Sequence, residues 1–230
     1  MADFADRVAG VAALAEPVRR DLYLYVVAQP DAVSRDEAAA GVNVPRHTAK
    51  FHLDRLVDEG LLAVEFRRLS GRRGPGAGRP AKLYRRAADE IAVSLPERRY
   101  GLAGALMAQA IDDATRDGTP VVDSLHAAAS AFGATLGEEA RAATEKESAH
   151  VDATSAACAA LASCGYEPYV ADDTITLRNC PFHALVQEHT DLVCGMNLAL
   201  VSAVTGPLGS GLTPRLDPAD GRCCVVVADR

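Results

Sequence analysis

Six cysteines and a concentration of arginines are the residues with most chemistry to offer in this chain of 230. Cys158 and Cys164 lie in and after an alanine-rich stretch, Ala156-Ala157-Cys158-Ala159-Ala160, where a thiol acts as a small apolar side chain. Cys180, Cys194, Cys223 and Cys224 are placed differently. Cys180 stands where a strand gives way to a helix, Cys194 lies on a helix, and Cys223-Cys224 opens a terminal strand. Their spacing, C-x13-C-x28-C-C, contains no C-x2-C knuckle, which argues against a zinc finger. A junction, a helix and a strand can still converge at one end of a small α+β domain. Thiolates held that way suit a soft metal ion or an iron–sulfur cluster. Adjacent strand residues point to opposite faces, so one of Cys223 and Cys224 is expected to be a spare. His183 and His189 are candidates for a fourth ligand, with a plain surface position as the simpler reading. His126 and His150 read as surface or satisfied core residues.

The arginines are just as unevenly placed. The formal charge of the whole chain is −7, a poor starting point for binding nucleic acid. Residues 1–86 nevertheless hold 15 Lys and Arg against 11 Asp and Glu, while residues 87–230 hold 9 against 20. Between Val64 and Arg86 stand Arg67, Arg68, Arg72, Arg73, Arg79, Lys82, Arg85 and Arg86, with Glu65 as the only acid. A basic block on an acidic protein is the electrostatic footprint of phosphate binding, although a solvated loop would look the same.

Local patterns around the block decide between these. Val8 to Ala28 has helical spacing, broken near Ala15-Glu16 ahead of Pro17. Ser34-Arg35-Asp36-Glu37 is a capping-box pattern that opens a short helix from Arg35 to Ala40, closed at Gly41. Val42-Asn43-Val44-Pro45 forms a turn. The next helix, Arg46 to Glu59, lines up Ala49, Leu53, Leu56 and Val57 on one stripe. Its other side presents Arg46, His47, Thr48, Lys50, Phe51 and Arg55. An extended run from Leu61 to Leu69, a Gly-rich basic loop from Ser70 to Pro80 and a return strand at Lys82-Leu83-Tyr84 complete a winged helix-turn-helix. In such a unit the helix reads base edges, and arginines of the wing, here Arg72, Arg73 and Arg79, reach phosphates or the minor groove. Gly78-Arg79-Pro80 resembles minor-groove hooks, and equally a simple turn. The segment from Val42 through Phe51-His52-Leu53-Asp54-Arg55-Leu56 to Leu62 resembles the recognition helix of ArsR-like bacterial winged-helix regulators.

Beyond Pro96, Glu97 to Arg116 forms a helix with an apolar stripe. It either pairs with a second copy of the chain or packs on the C-terminal part. Alanine-rich helices are expected over Val121 to Thr135 and Glu138 to Cys158. Tyr166 to Arg178 reads as a hairpin turning at Asp172-Asp173. A helix from Phe182 to Val193 follows, then one from Cys194 to Val204, continuous or kinked. Strands are expected over Leu212 to Asp217 and at Arg222 to Val227.

The expected architecture is α+β. A winged helix-turn-helix over 1–90 is followed by a helical connector over 91–120, a dimerisation candidate, and a cysteine-bearing α+β sensor domain over 121–230. No stretch of 18 apolar residues and no basic-then-apolar leader is present, so a cytoplasmic protein with reduced cysteines and no membrane span is expected.

Leu177-Arg178-Asn179-Cys180-Pro181-Phe182-His183, Leu192-Val193-Cys194-Gly195-Met196-Asn197-Leu198 and the late Cys223-Cys224 resemble the C-terminal half of the regulator family that includes the repressors of the Suf iron–sulfur assembly operon. That resemblance extends over nearly the whole chain. It implies an iron–sulfur cluster on Cys180, Cys194 and Cys223 or Cys224, whose state sets operator affinity in a homodimer on double-stranded DNA. Where the residues leave alternatives, they are a sensor for zinc, an organic ligand or thiol oxidation, and a winged helix that binds protein. An enzyme with Cys180 as nucleophile and His183 or His189 as base is a distant rival. No phosphate-binding Gly-rich loop in a strand-then-helix context is present.

Overall fold

Pro17 has no amide hydrogen to give to a helix already under way, so the first apolar stripe must break there. The computed structural model, which describes residues 4–68, 80–146, 151–209 and 211–229, has the break. Helix α1 is Phe4–Ala13 and α2 is Pro17–Val27. The Glu16 carboxylate caps α2 by accepting from the amides of Val18 and Arg19. Strand β1, Val33–Ser34, leads into α3, Arg35–Val42. The Ser34 hydroxyl accepts from the Glu37 amide while the Glu37 carboxylate accepts from the Ser34 amide, so both halves of the capping box are made. Asn43 closes α3 with φ 55°, a left-handed conformation that Asn tolerates well.

Helix α4, Arg46–Asp58, buries Ala49, Leu53 and Leu56. Strands β2, Leu62–Arg67, and β3, Ala81–Arg86, pair antiparallel, and β1 adds to the other side of β3. Leu22, Val26, Leu53, Leu56, Leu62 and Tyr84 share one core. Each fully buried leucine contributes about 1.5–3 kcal/mol relative to exposure. Strand β1 has only two residues, too short for any periodic signal in the sequence. These elements form one unit that ends at Val93.

A second unit begins at Ser94. Its first helix, α5, is Tyr100–Asp117. Ala103, Leu106 and Ala110 of α5 are buried in this unit's own core, so the stripe of the expected connector is covered within the chain. The next helix differs from expectation. Instead of two helices meeting near Gly137, α6 runs unbroken over Val121–Lys146, and α7 follows over Ala153–Ser163. Gly133 and Gly137 are not stops. They lie on the buried face of α6 where the backbone of α9, Thr190–Thr205, crosses it. A Cβ at Gly133 would sit 2.4 Å from the Leu200 carbonyl oxygen, and one at Gly137 would sit 2.5 Å from that of Val204.

Strands β4, Pro168–Ala171, and β5, Thr174–Leu177, form a tight hairpin. Asp172 and Asp173 both have positive φ, 49° and 54°, the signature of the turn whose twist matches a hairpin. Short helix α8, His183–Glu188, ends in a break at His189, and α9 follows. Strands β6, Leu212–Leu216, and β7, Val225–Asp229, complete an antiparallel sheet of order β4-β5-β7-β6. The stretch Thr190–Leu208 is long and apolar enough to cross a membrane on length and composition alone. Its Val193, Met196, Leu200, Val201 and Val204 are buried in the core of this unit.

Candidate functional site

Helical periodicity divides α4 into two faces. Ala49, Leu53 and Leu56 point inward, which leaves Arg46, His47, Lys50, Phe51 and Arg55 exposed and Thr48 half-buried. The cations on this face have acidic neighbours. Arg46 Nε lies 2.5 Å from Asp36, Lys50 Nζ lies 4.0 Å from Asp54, and Arg55 pairs with Glu59. Exposed pairs of this kind contribute about 0–1 kcal/mol each, so the side chains can be redirected to phosphates at small cost. The Phe51 ring is 65% exposed, touching His52 edge-on at 5.2 Å.

Asp54, which did not stand out in the sequence, ties α4 to the hairpin. Its Oδ1 accepts from Lys82 Nζ at 2.5 Å and from the Tyr84 hydroxyl at 2.9 Å. Burial opposes the charge on Asp54, but the hydrogen bonds from Lys82 and Tyr84 outweigh it and hold the carboxyl below its ordinary range. Burial, reinforced by Asp54, pushes the Tyr84 phenol well up. The available signal was the two-residue spacing of Lys82 and Tyr84, which puts both on one face of β3. Arg67, Arg68, Arg85 and Arg86 are exposed along the hairpin. The tip, with Arg72, Arg73 and Arg79, lies outside the described residues, as does His150.

Residues 14–65 match the family model of a helix-turn-helix domain. The chain carries a helix-turn-helix domain. The match spans α2, α3, α4 and most of β2, the same stretch that α4 anchors. It supports a winged-helix regulator that binds DNA. No curated protein and no solved structure is similar to the chain.

The second unit brings together the four cysteines singled out above. Cys180, Cys223, Cys224 and Cys194 lie near enough, in that order of contact, for each to shift the ionisation of the next. Cys180, Cys194 and Cys223 are buried, and Cys224 is half-buried. Strand β7 begins only at Val225, so Cys223 and Cys224 precede the pleat and escape its alternation.

The hydrogen bonds sort the four by acidity. The bond from Cys223, helped by the Phe182 amide, pulls the Cys180 thiol down despite burial. Burial and the contact with Cys224 push Cys194 up to about 12. Donation to Cys180 pushes Cys223 up to about 12. Cys224 is raised by its contact with Cys223 and by burial. The first thiolate of the group therefore sits on Cys180.

Two further buried residues support the group. Asn197 Nδ2 donates to Cys223 Sγ at 3.1 Å, and the Tyr166 hydroxyl donates to Asn197 Oδ1. Both side chains are buried in an otherwise apolar core. A fully satisfied buried network of this kind fixes side-chain orientation. Among the described residues, no three His, Cys, Asp or Glu side chains already stand in a metal-binding arrangement. The donor chemistry itself fits a thiophilic ion or cluster: four thiols from three segments, largely screened from water, with an amide aimed at one sulfur.

The remaining candidates stand apart. Cys158 is half-buried on α7, and Cys164 is buried at its end, both with pKa raised mainly by burial. His183 and His189 are exposed, and neither forms part of the thiol chain. His126 is half-buried, with Nε2 in the space a Cβ of Gly195 would need.

Proposed function

We propose that this chain is a homodimeric, cytoplasmic transcriptional regulator, a repressor, whose operator affinity is set by an iron–sulfur cluster on Cys180, Cys194, Cys223 and Cys224. What supports this reading is that those four thiols lie near enough to shift one another's ionisation, with Asn197 donating to the Cys223 sulfur at 3.1 Å, on the same polypeptide as a helix-turn-helix domain. The resemblance to the Suf-repressor family adds weight. Helix α4 would enter the major groove, with His47, Thr48, Lys50 and Phe51 toward base edges and Arg46, Arg55 and the hairpin arginines toward phosphates. A cluster would supply a redox-sensitive crosslink among the three segments. It can act as a switch only by favouring one conformation over the other.

The test is purification without oxygen, with iron and labile sulfide counted per chain. Electrophoretic shift of the chain's own promoter DNA at stated salt then follows, with and without the cluster. Iron and sulfide present, together with a change in shift, bear the reading out. A chain that takes up neither, even after reconstitution, refutes the cluster. The same four contacting thiols also suit zinc or disulfide formation, and elemental analysis with thiol titration separates these.

Two further outcomes are expected. Phe51→Ala removes an exposed ring, so folding stability should change by less than about 0.5 kcal/mol. DNA affinity should fall by about 1–3 kcal/mol, the worth of a base contact. Paired urea melts and gel shifts check both. Metal uptake should also depend on pH. Cys194 and Cys223 are protonated near neutrality because their pKa values lie near 12, and a ligand must be a thiolate. Uptake therefore releases protons, and affinity for Zn²⁺ should rise from pH 6.5 to pH 8. Competition with a chromophoric chelator, corrected for the chelator's own protonation, measures this.

A further inference from the structure

The loop that carries Cys180 is held by the chain segment through which the second unit begins. Ser94 is the first residue of that unit, directly after the helix-turn-helix unit ends at Val93. Four residues on, Arg98 Nη1 donates to the Asn179 side-chain oxygen and, at 3.2 Å, to the carbonyl oxygen of Cys180 itself. Asn179 Nδ2 donates back to the carbonyl of Glu97 at 2.8 Å, and to that of Gly165 at 2.6 Å. The Arg99 amide donates to the Pro181 carbonyl at 3.0 Å, and the Ala184 amide donates to the Tyr100 hydroxyl at 3.3 Å. The segment is also braced internally, with the Arg98 amide donating to Ser94 Oγ at 2.8 Å.

Asn179 is 5% exposed and spends its amide on backbone carbonyls from two separate segments. Such a side chain positions its neighbour and leaves nothing over for solvent. Arg98 meets the Cys180 peptide directly. The one nitrogen Nη1 is shared with the Glu97 carbonyl at 3.3 Å as well, so the relative placement of its acceptors decides which bonds it keeps. A pull on Cys180 Sγ that rotation about its Cα–Cβ bond cannot absorb is passed to its peptide. The acceptor offered to Arg98 then turns with it.

The geometry points to Arg98 and Asn179 as positioning residues for Cys180 that latch the state of the thiol site to the segment 94–99, the covalent lead to the DNA-reading unit. This rests on the regulator reading above and adds its transmitting element. The latch has two arrangements, made and broken, and the occupancy of Cys180 biases which one holds. The coupling is local and contiguous, from sulfur to peptide to guanidinium to main chain.

The experiment uses the full chain as wild type, Arg98→Ala, Arg98→Lys and Asn179→Ala. Each is prepared metal-free and after anaerobic reconstitution with ferrous iron and sulfide. Iron is counted, affinity for a fragment of the chain's own promoter is measured in both states, and hydrogen exchange is followed over residues 94–100. In the wild type the two affinities should differ by roughly 5–150-fold, the ordinary range of such coupling. In Arg98→Ala that ratio should fall to about 1–2 while iron uptake persists, and Arg98→Lys, which keeps the charge but on a side chain of different reach and donor geometry, should recover only part of it. Exchange over 94–100 should differ between loaded and metal-free wild type.

An Arg98→Ala variant with the full wild-type ratio overturns the latch and leaves the regulator reading standing. Equal exchange over 94–100 in the two wild-type states overturns it too, and does so even if the variants do not fold. A wild type that takes up no iron, or whose DNA affinity ignores it, removes the regulator reading and the latch together.

Discussion

Gly133→Ala is expected to destabilise the protein, although Gly→Ala inside a helix ordinarily gains about 1 kcal/mol. Gly133 lies within α6, so propensity favours alanine. Packing opposes it. The added Cβ would meet the Leu200 carbonyl oxygen at 2.4 Å and the Ala203 Cβ at 3.0 Å. The first of these belongs to backbone, which cannot rotate away, so α9 must move bodily. Overpacking of this kind costs about 1–3 kcal/mol, occasionally more, and exceeds the propensity gain. Gly104→Ala on α5 is the matched control. Nothing lies within 4 Å of its Cβ position, and the change should stabilise by about 0.5–1 kcal/mol. Urea denaturation of the two variants should therefore shift the midpoint in opposite directions. A Gly133→Ala variant as stable as wild type would mean that α6 and α9 do not cross at this distance.

On the proposed cluster reading, Cys180→Ser should lower iron per chain at least tenfold after anaerobic reconstitution, a loss on the scale of removing a metal ligand or its support. Cys180 is the thiol that ionises most readily, since it accepts from Cys223 and from the Phe182 amide. A serine hydroxyl keeps the hydrogen bonding and the approximate volume but does not ionise near neutrality, so the site loses its first anionic donor while the fold persists. Cys158→Ser is the control. Cys158 is half-buried on α7 and takes no part in the chain of thiols, so iron content should stay at the wild-type level. Equal iron in Cys180→Ser and wild type would remove Cys180 from the ligand set. Wild-type iron lost equally in both variants would point to a general loss of the domain.

Much of the first unit was legible in the sequence because its signals are local. Pro17, the Ser34 to Glu37 capping box and the apolar stripe of α4 each act within a turn or two of chain. All three appear where the spacing put them. The Asp172-Asp173 turn belongs to the same class. What failed was also local reasoning, applied where distant contacts rule. Gly137 reads as a stop in isolation, yet it continues α6 because the backbone of α9 lies against it. The doublet Cys223-Cys224 reads as the opening of a strand, yet β7 starts one residue later, at Val225.

Residue type and periodicity by themselves determined a DNA-reading unit with an exposed polar and aromatic helix face, and named four thiols as the ones able to bind something. They could do so because helix phase, capping and charge are properties of neighbours in the chain. Only the tertiary structure decided that those thiols share one unit, that Asn197 and Tyr166 back Cys223, and that Arg98 and Asn179 hold the Cys180 loop. Cys180 and Cys223 come from segments more than 40 residues apart, and Arg98 bonds to a carbonyl more than 80 residues away. Contacts at such separations depend on how elements pack, and no periodicity in the chain carries that information.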